Sequence, residues 1–371
     1  MCRRVTMLAI AVFVAACASA PVSGPPMRIG DPLPGLTSAE LARFNAGKAV
    51  FQRTFDAAHG LGPLFNSTSC AECHEQPAVG GVGKGEVGGD DTEVHASKFT
   101  NNQCDELAKQ GGPVFRQHAT QGDPPPIPAD ANIGRRTTPA LFGFGLIDTI
   151  PDAEILKGVG HAGGRAARLP DGRLGRFGRK ATDATLSEFS AAAFTVEQGI
   201  EVPAELSPAD RDLTVDFIRF LAPPDRPPQR HRGAHVFQRI GCVDCHTPSM
   251  KTGTSSVKAL AHKEVFLYSD LLLHTLGPAL ADLCRGVAKP EEFRTTPLMG
   301  LRFKTTFLHD GRALSLTSAI VQHAGQAQPS VDAFLKLQPE ELDALLQFLK
   351  VLSRDIYGQL QRDGLLASHH R

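Results

Sequence analysis

The feature that most constrains this chain is a short pattern that occurs twice: "SCAECH" at 69–74 and "GCVDCH" at 241–246. Neither copy stands alone. "GKAVFQ" (47–52) precedes the first and "GAHVFQ" (233–238) precedes the second, while "RRTTPALFGFGL" (135–146) follows the first and "FRTTPLMGLRF" (293–303) follows the second. Matches in the same order describe two halves built on one plan. Each half closes on an amphipathic segment, with Leu213, Phe217, Ile218 and Leu221 in the first and Leu342, Leu345, Leu346, Leu349 and Leu352 in the second. Their helical spacing and the start signals Ser207-Pro208 and Pro339-Glu340-Glu341 predict two helices, each packed on one face. Proline-rich "LAPPDRPPQR" (221–230) separates the halves and sets the expected domains at 36–222 and 230–358. Gly-rich 80–89 and Pro-rich 122–128 read as irregular loops.

Cysteines at i and i+3 share one face of a helical turn. Three chemistries use such a pair. Zinc needs further Cys or His ligands at matching spacing, and neither copy has a nearby CxxC or HxxxH. A thioredoxin-like dithiol needs a βαβ setting, which the sequence around both copies lacks. The remaining reading is covalent haem: Cys70 and Cys73, and Cys242 and Cys245, form thioethers to haem vinyl groups, and His74 and His246 bind the iron from below. Two haem c groups are expected. "GKGEVG" (83–88) fits a dinucleotide-binding glycine pattern but follows no strand and opens no helix, so nucleotide binding is set aside.

Lys plus Arg and Asp plus Glu both number 39, so no net field gathers nucleic acid or an anionic membrane surface. The first residues, Arg3 and Arg4 followed by an apolar run from Val5 to Ala16, read as a secretory leader over 1–20. Val14-Ala15-Ala16-Cys17 favours a lipobox with Cys17 lipidated; Ala18-Ser19-Ala20 would instead serve an ordinary signal peptidase. Either way the expected place is the periplasm or cell envelope, with an outer-membrane lipoprotein among the options. In an oxidising compartment Cys104 and Cys284, outside both motifs, can pair with each other or remain buried thiols.

What a haem does depends on its second axial ligand. Beyond the leader the methionines are Met27, Met250 and Met299, so the first half has none after Met27. Its haem is either closed by a histidine such as His95, His118 or His161, or left open for a small oxidant. For the second haem, "FLHDGRALSLTSAIVQHAG" (307–325) offers His309 and His323. His309 sits in a His-Asp-Gly turn, whereas His323 ends an apolar helical stripe that would point it inward. His323 is therefore the expected ligand and His309 its support.

These residues resemble the bacterial di-haem oxidoreductases, peroxidase-type proteins often labelled thiol oxidoreductases and related to the di-haem cytochrome c peroxidases. The resemblance rests on "GLGPLFNSTSCAECH" (60–74), "RRTTPALFGFGLIDTIPDAEIL" (135–156), "GRLGRFGRKAT" (172–182), "IGCVDCHTP" (240–248), "YSDLLLHTLGPALAD" (268–282) and "FRTTPLMGLRFKTTFLHDGRA" (293–313). It implies a mainly α fold of two cytochrome-c-like haem domains with long irregular loops. One haem would take electrons from a donor protein, a small cytochrome or copper protein, and the other would meet a small oxidant. In the wider peroxidase group the ligand of the electron-accepting haem lies fourteen residues beyond the His of His-Asp-Gly; counted from His309, that is His323. Three departures stand out. The chain has no tryptophan, leaving Tyr268 as the nearest aromatic candidate between the haems; Arg179 stands where the family resemblance leads one to expect Trp, and Gln198 where it leads one to expect Met.

Overall fold

The computed structural model describes residues 28–85, 92–200, 206–224 and 231–352. The leader with Cys17, Met27, the end of the proline-rich connector and the last residues of the expected second domain lie outside them. Among the described residues no helix is long and apolar enough to cross a membrane.

In chain order the helices are α1 Ser38–Phe51, α2 Cys70–Cys73, α3 Phe144–Asp148, α4 Asp152–Leu156, α5 Leu186–Ala192, α6 Pro208–Phe220, α7 Arg232–Arg239, α8 Leu316–Val321, α9 Gln328–Phe334 and α10 Pro339–Val351. Side chains fix where the long ones start. Thr37 and Glu40 form a reciprocal capping box on α1, as Gln338 and Glu341 do on α10. Ser207 caps α6, with Pro208 in the first turn as its sequence indicated.

The two halves repeat one helix crossing. α1 packs on α6, and α7 packs on α10. At the first crossing a methyl group on Gly47 would overlap the carbonyl of Leu213; at the second, one on Gly233 would overlap the carbonyl of Ala344. Glycine therefore lets the two backbones touch in both halves. Phe51 then meets Phe217 with ring centroids 5.0 Å apart, and Phe237 meets Phe348 at 5.6 Å. The same phenylalanines reach the motif histidines: Phe51 lies 6.0 Å from His74 and Phe237 lies 6.4 Å from His246.

Helices are joined by five small antiparallel sheets among the described residues. The largest has Thr92–Thr100 in the middle, flanked by Gln103–Asp105 and Asn132–Thr137. Helices form the repeated crossings and long-range strand pairing organises the wall between them, so the expected mainly α fold describes the crossings alone. Residues 122–128 are irregular, as are the described residues of the Gly-rich loop.

Packing does not follow the repeat boundary. The largest core joins Phe44, Phe142, Phe217 and Leu221 to Met250, Leu267, Leu272 and Met299 from beyond the connector. Cys104 and Cys284 form a disulfide, which decides between the two readings left open by sequence and ties the central sheet to the second half.

Candidate functional site

Both cysteine motifs coil into a single helical turn. α2 carries Cys70 and Cys73 after the cap Ser69, whose hydroxyl accepts from the Ala71 amide. Cys242–Asp244 forms a tighter 3₁₀ turn entered through Gly241, which has a positive φ of 82°. In each, the amide of the histidine donates to the carbonyl of the first cysteine, at 3.0 Å for His74 and 2.9 Å for His246. The ring is then fixed from behind: His74 Nδ1 donates to the carbonyl of Gly81 at 3.1 Å, and His246 Nδ1 to that of Tyr268 at 2.9 Å. With Nδ1 on a carbonyl, the proton sits there and Nε2 carries the lone pair; His74 has a further backbone contact at Pro139. Burial pushes both imidazoles down to about 4, so they are neutral at physiological pH, as metal ligation requires.

The four motif cysteines are not disulfide-bonded. Burial, with the neighbouring Cys73, raises Cys70 to about 12; burial, with Cys245 and Asp244, raises Cys242 to about 12. A redox dithiol needs the opposite, a depressed thiol pKa. Among the described residues no group of three or more His, Cys, Asp or Glu side chains is placed to hold a metal ion. Both motifs instead open onto one continuous cavity of about 600 Å3, lined by Cys70, Cys73 and His74 at one end and Cys242, Cys245 and His246 at the other.

Above His74 the wall comes from the central sheet and from the end of α5. Period-two alternation puts Glu93 and His95 on one face of Thr92–Thr100, and Arg136 pairs across from Glu93. Past α5 the chain widens into a π-helical turn, Ala193–Gln198, that delivers Glu197 and Gln198 to the cavity. Burial lifts both Glu93 and Glu197 above the ordinary carboxylate range; Arg285 and Arg136 oppose this for Glu93, while the charge of Glu93 adds to it for Glu197. Of the three histidines considered for this haem, only His95 lines the cavity. Its two nitrogens are engaged, Nε2 with Glu93 at 3.0 Å and Nδ1 with Arg285 at 3.0 Å. His118 is exposed and packs on Phe65, and His161 is exposed and faces Asp244 at 3.2 Å.

At the other end His323 lines the cavity with Nδ1 held by the Ala319 carbonyl at 2.7 Å, the same device that orients His74 and His246. His309 lies against the central sheet: its carbonyl accepts from the Thr137 amide at 3.0 Å, its ring stacks on Phe293 at 4.5 Å and Nε2 faces Asp282 at 3.3 Å. Two placements differ from expectation. Tyr268 is packed edge-on against Phe237 and Phe348 in the second-half core and is not part of the cavity wall, because its backbone, not its ring, serves His246. Met299, counted with the second half by sequence, reaches the wall of the shared cavity beside Gly143 of the first.

The donor set fits haem. Besides the thiols and imidazoles, the wall presents buried polar atoms with no protein partner, among them Arg136 Nη2, Thr137 Oγ1 and Gln198 Nε2. A family model described as "Di-haem oxidoreductase, putative peroxidase" matches residues 185–352. Haem is the cofactor that this family's description names. Two solved structures are similar to this chain. Hydrazine synthase from Kuenenia stuttgartiensis has a TM-score of 0.43 at 16% identity, covering 95% of this chain and 100% of its own. A MauG-like protein associated with microbial copper homeostasis has a TM-score of 0.42 at 16% identity, covering 88% and 92%. No curated protein sequence matches the chain.

Glu93, Glu197 and Arg285 fall outside every motif that the sequence singles out. Glu93 comes to the cavity on the central sheet, Glu197 on the π-helical turn, and Arg285, next to the disulfide cysteine Cys284, through its contact with His95. The signal available was "VEQGI", noted for its glutamine while the adjacent Glu197 was passed over.

Proposed function

We propose that the protein is an exported, peroxidase-like c-type oxidoreductase of two cytochrome-c-like haem domains. It takes electrons from a donor protein at the His246 site and reduces a small oxidant at the His74 site. The observation that carries this reading is the asymmetry of the cavity's two ends. The His246 end has a second imidazole, His323, with Nδ1 tied back and Nε2 without a partner among the described residues, suited to a six-coordinate relay. At the His74 end the one nearby imidazole, His95, is locked by Glu93 and Arg285, and two buried carboxyl groups face the space instead.

Haem attached through Cys70 and Cys73, and through Cys242 and Cys245, with His74 and His246 toward its iron, would supply the redox chemistry. The chain supplies position and protons. His74 and His246 are aimed by carbonyls, so neither ring turns as charge changes. Glu197, raised by burial and by Glu93 to about 8, is protonated at neutral pH and can give a proton to an oxygen leaving as hydroxide. Glu93 and His95, bonded to each other, offer the return path for that proton.

A carrier with both irons closed is the second reading, and Met299 favours it. Its thioether lines the cavity and could close the first haem from the second half. Spectra of the ferric holoprotein separate the two. High-spin iron at one haem, shifted by cyanide or hydrogen peroxide, is expected for the enzyme; two low-spin haems indifferent to both would end that reading. Met299→Leu should leave the enzyme's first-haem spectrum unchanged.

A leader with Cys17 lipidated, and a small cytochrome or copper protein as donor, complete the proposal. Cell fractionation tests the anchor: wild-type protein should sediment with membranes and Cys17→Ser should not. Wild type in the soluble fraction would remove the anchor.

A further inference from the structure

The "RTTP" repeat places one arginine of each half in the cavity wall. Arg136 lies next to the end of the strand Asn132–Thr137 and Arg294 ends Glu292–Arg294; each is less than a tenth exposed, and both line the cavity onto which the two cysteine motifs open. Between them lies Arg179, the residue found where the family pattern predicts Trp. It makes one contact to each copy of the repeat: Nη1 donates to Thr296 Oγ1 at 3.1 Å, and Nη2 to the Thr137 carbonyl at 3.2 Å.

Three guanidinium groups in one buried wall repel one another and lose hydration. Burial and Arg136 push Arg179 down to about 10; burial and Arg179 push Arg294 down to about 9. The protein's own anions oppose this only in part: Asp310 attracts Arg179 and Asp270 attracts Arg294, neither as an ion pair among the described residues. Asp282 is shared among Arg136, Lys180 at 3.3 Å and His309 at 3.3 Å. Among the described residues neither Arg179 nor Arg294 has an ion-pair partner, and Arg136 Nη2 has no acceptor. Buried charge of this kind persists when a ligand supplies the counter-charge. Because the arginines recur with the cysteine motifs, one per half, the missing anions belong to whatever those motifs bind.

We propose that Arg136, Arg179 and Arg294 form a carboxylate-binding seam that holds the propionate side chains of the two haems, with Arg179 shared between them. The proposal rests on the two-haem reading above. A cation beside a haem carboxylate favours the added electron, so the seam raises the reduction potentials of the haems it touches.

The test uses holoprotein and begins with a pyridine haemochrome assay; fewer than two haems in the wild type would sink the two-haem reading itself, before any variant is made. With two haems present, redox titration and resonance Raman spectra of Arg179→Gln and Arg179→Lys decide the seam. Lower midpoint potentials and shifted propionate bands are expected in Arg179→Gln, with Arg179→Lys recovering most of the potential. Unchanged potentials and bands in Arg179→Gln would overturn the proposal, as would wild-type potentials that move with added phosphate, since the seam would then hold a free anion. If Arg179→Gln fails to load haem, Arg294→Lys gives the same readout: shifted propionate bands support the seam and unshifted bands refute it.

Discussion

An imidazole can serve iron only if one nitrogen is free and the ring cannot swing, and His74, His246 and His323 all meet that condition through a backbone carbonyl on Nδ1. Replacing His323 by Ala should convert one haem from low to high spin and leave the other as it was; a spectrum identical to wild type would show that His323 is not a ligand. Glu197 carries a different prediction. Its pKa is raised by burial and by Glu93, so the protonated form that donates is full at neutral pH and lost as pH rises through about 8. Peroxide turnover should fall across that range, and Glu197→Gln should lower it by on the order of 100-fold or more while both haems remain attached. A flat pH profile above neutrality would remove Glu197 from the proton path. The three cavity-lining histidines with Nδ1 on a backbone carbonyl were singled out in sequence by local patterns: CxxCH for two, helical spacing after His-Asp-Gly for the third. Glu197 was not, since nothing in "VEQGI" tells a buried carboxyl from an exposed one.

At the scale of elements, the helix crossing is the part that sequence described best. Both closing helices, with their caps and apolar stripes, were written in the chain. Their partners were visible only as the repeated "GKAVFQ" and "GAHVFQ", and the reason for the repeat is the glycine each begins with. Gly233→Ala should force α7 off α10 and cost about 1–3 kcal/mol, read as a lower unfolding midpoint by calorimetry; an unchanged midpoint would mean that the crossing tolerates a methyl group. The central sheet was not legible. Thr92–Thr100 reads "TEVHASKFT", with polar residues on the face that borders the cavity, so the alternation that signals a strand has no clear apolar side. Its partner Asn132–Thr137 lies beyond a long irregular stretch, and pairing at that range leaves no local mark.

Across the whole molecule, sequence gave the order of the halves and their shared plan, but not how they interlock. The Cys104–Cys284 disulfide closes a loop of 180 residues. Removing it with paired Cys104→Ser and Cys284→Ser changes should cost about 2–5 kcal/mol, measured as a lower denaturation midpoint that a reductant no longer shifts. Equal midpoints for variant and wild type would show that the bond adds nothing. Packing makes the same join without covalent help, because Met250, Leu267, Leu272 and Met299 complete a core begun by Phe44, Phe142 and Phe217. A repeat in sequence invites treating each half as an interchangeable module. A chimaera spliced at the connector would break that expectation: a foreign second half would have to bring apolar side chains of matching shape to a first-half core, a cysteine opposite Cys104, and an arginine opposite Arg136.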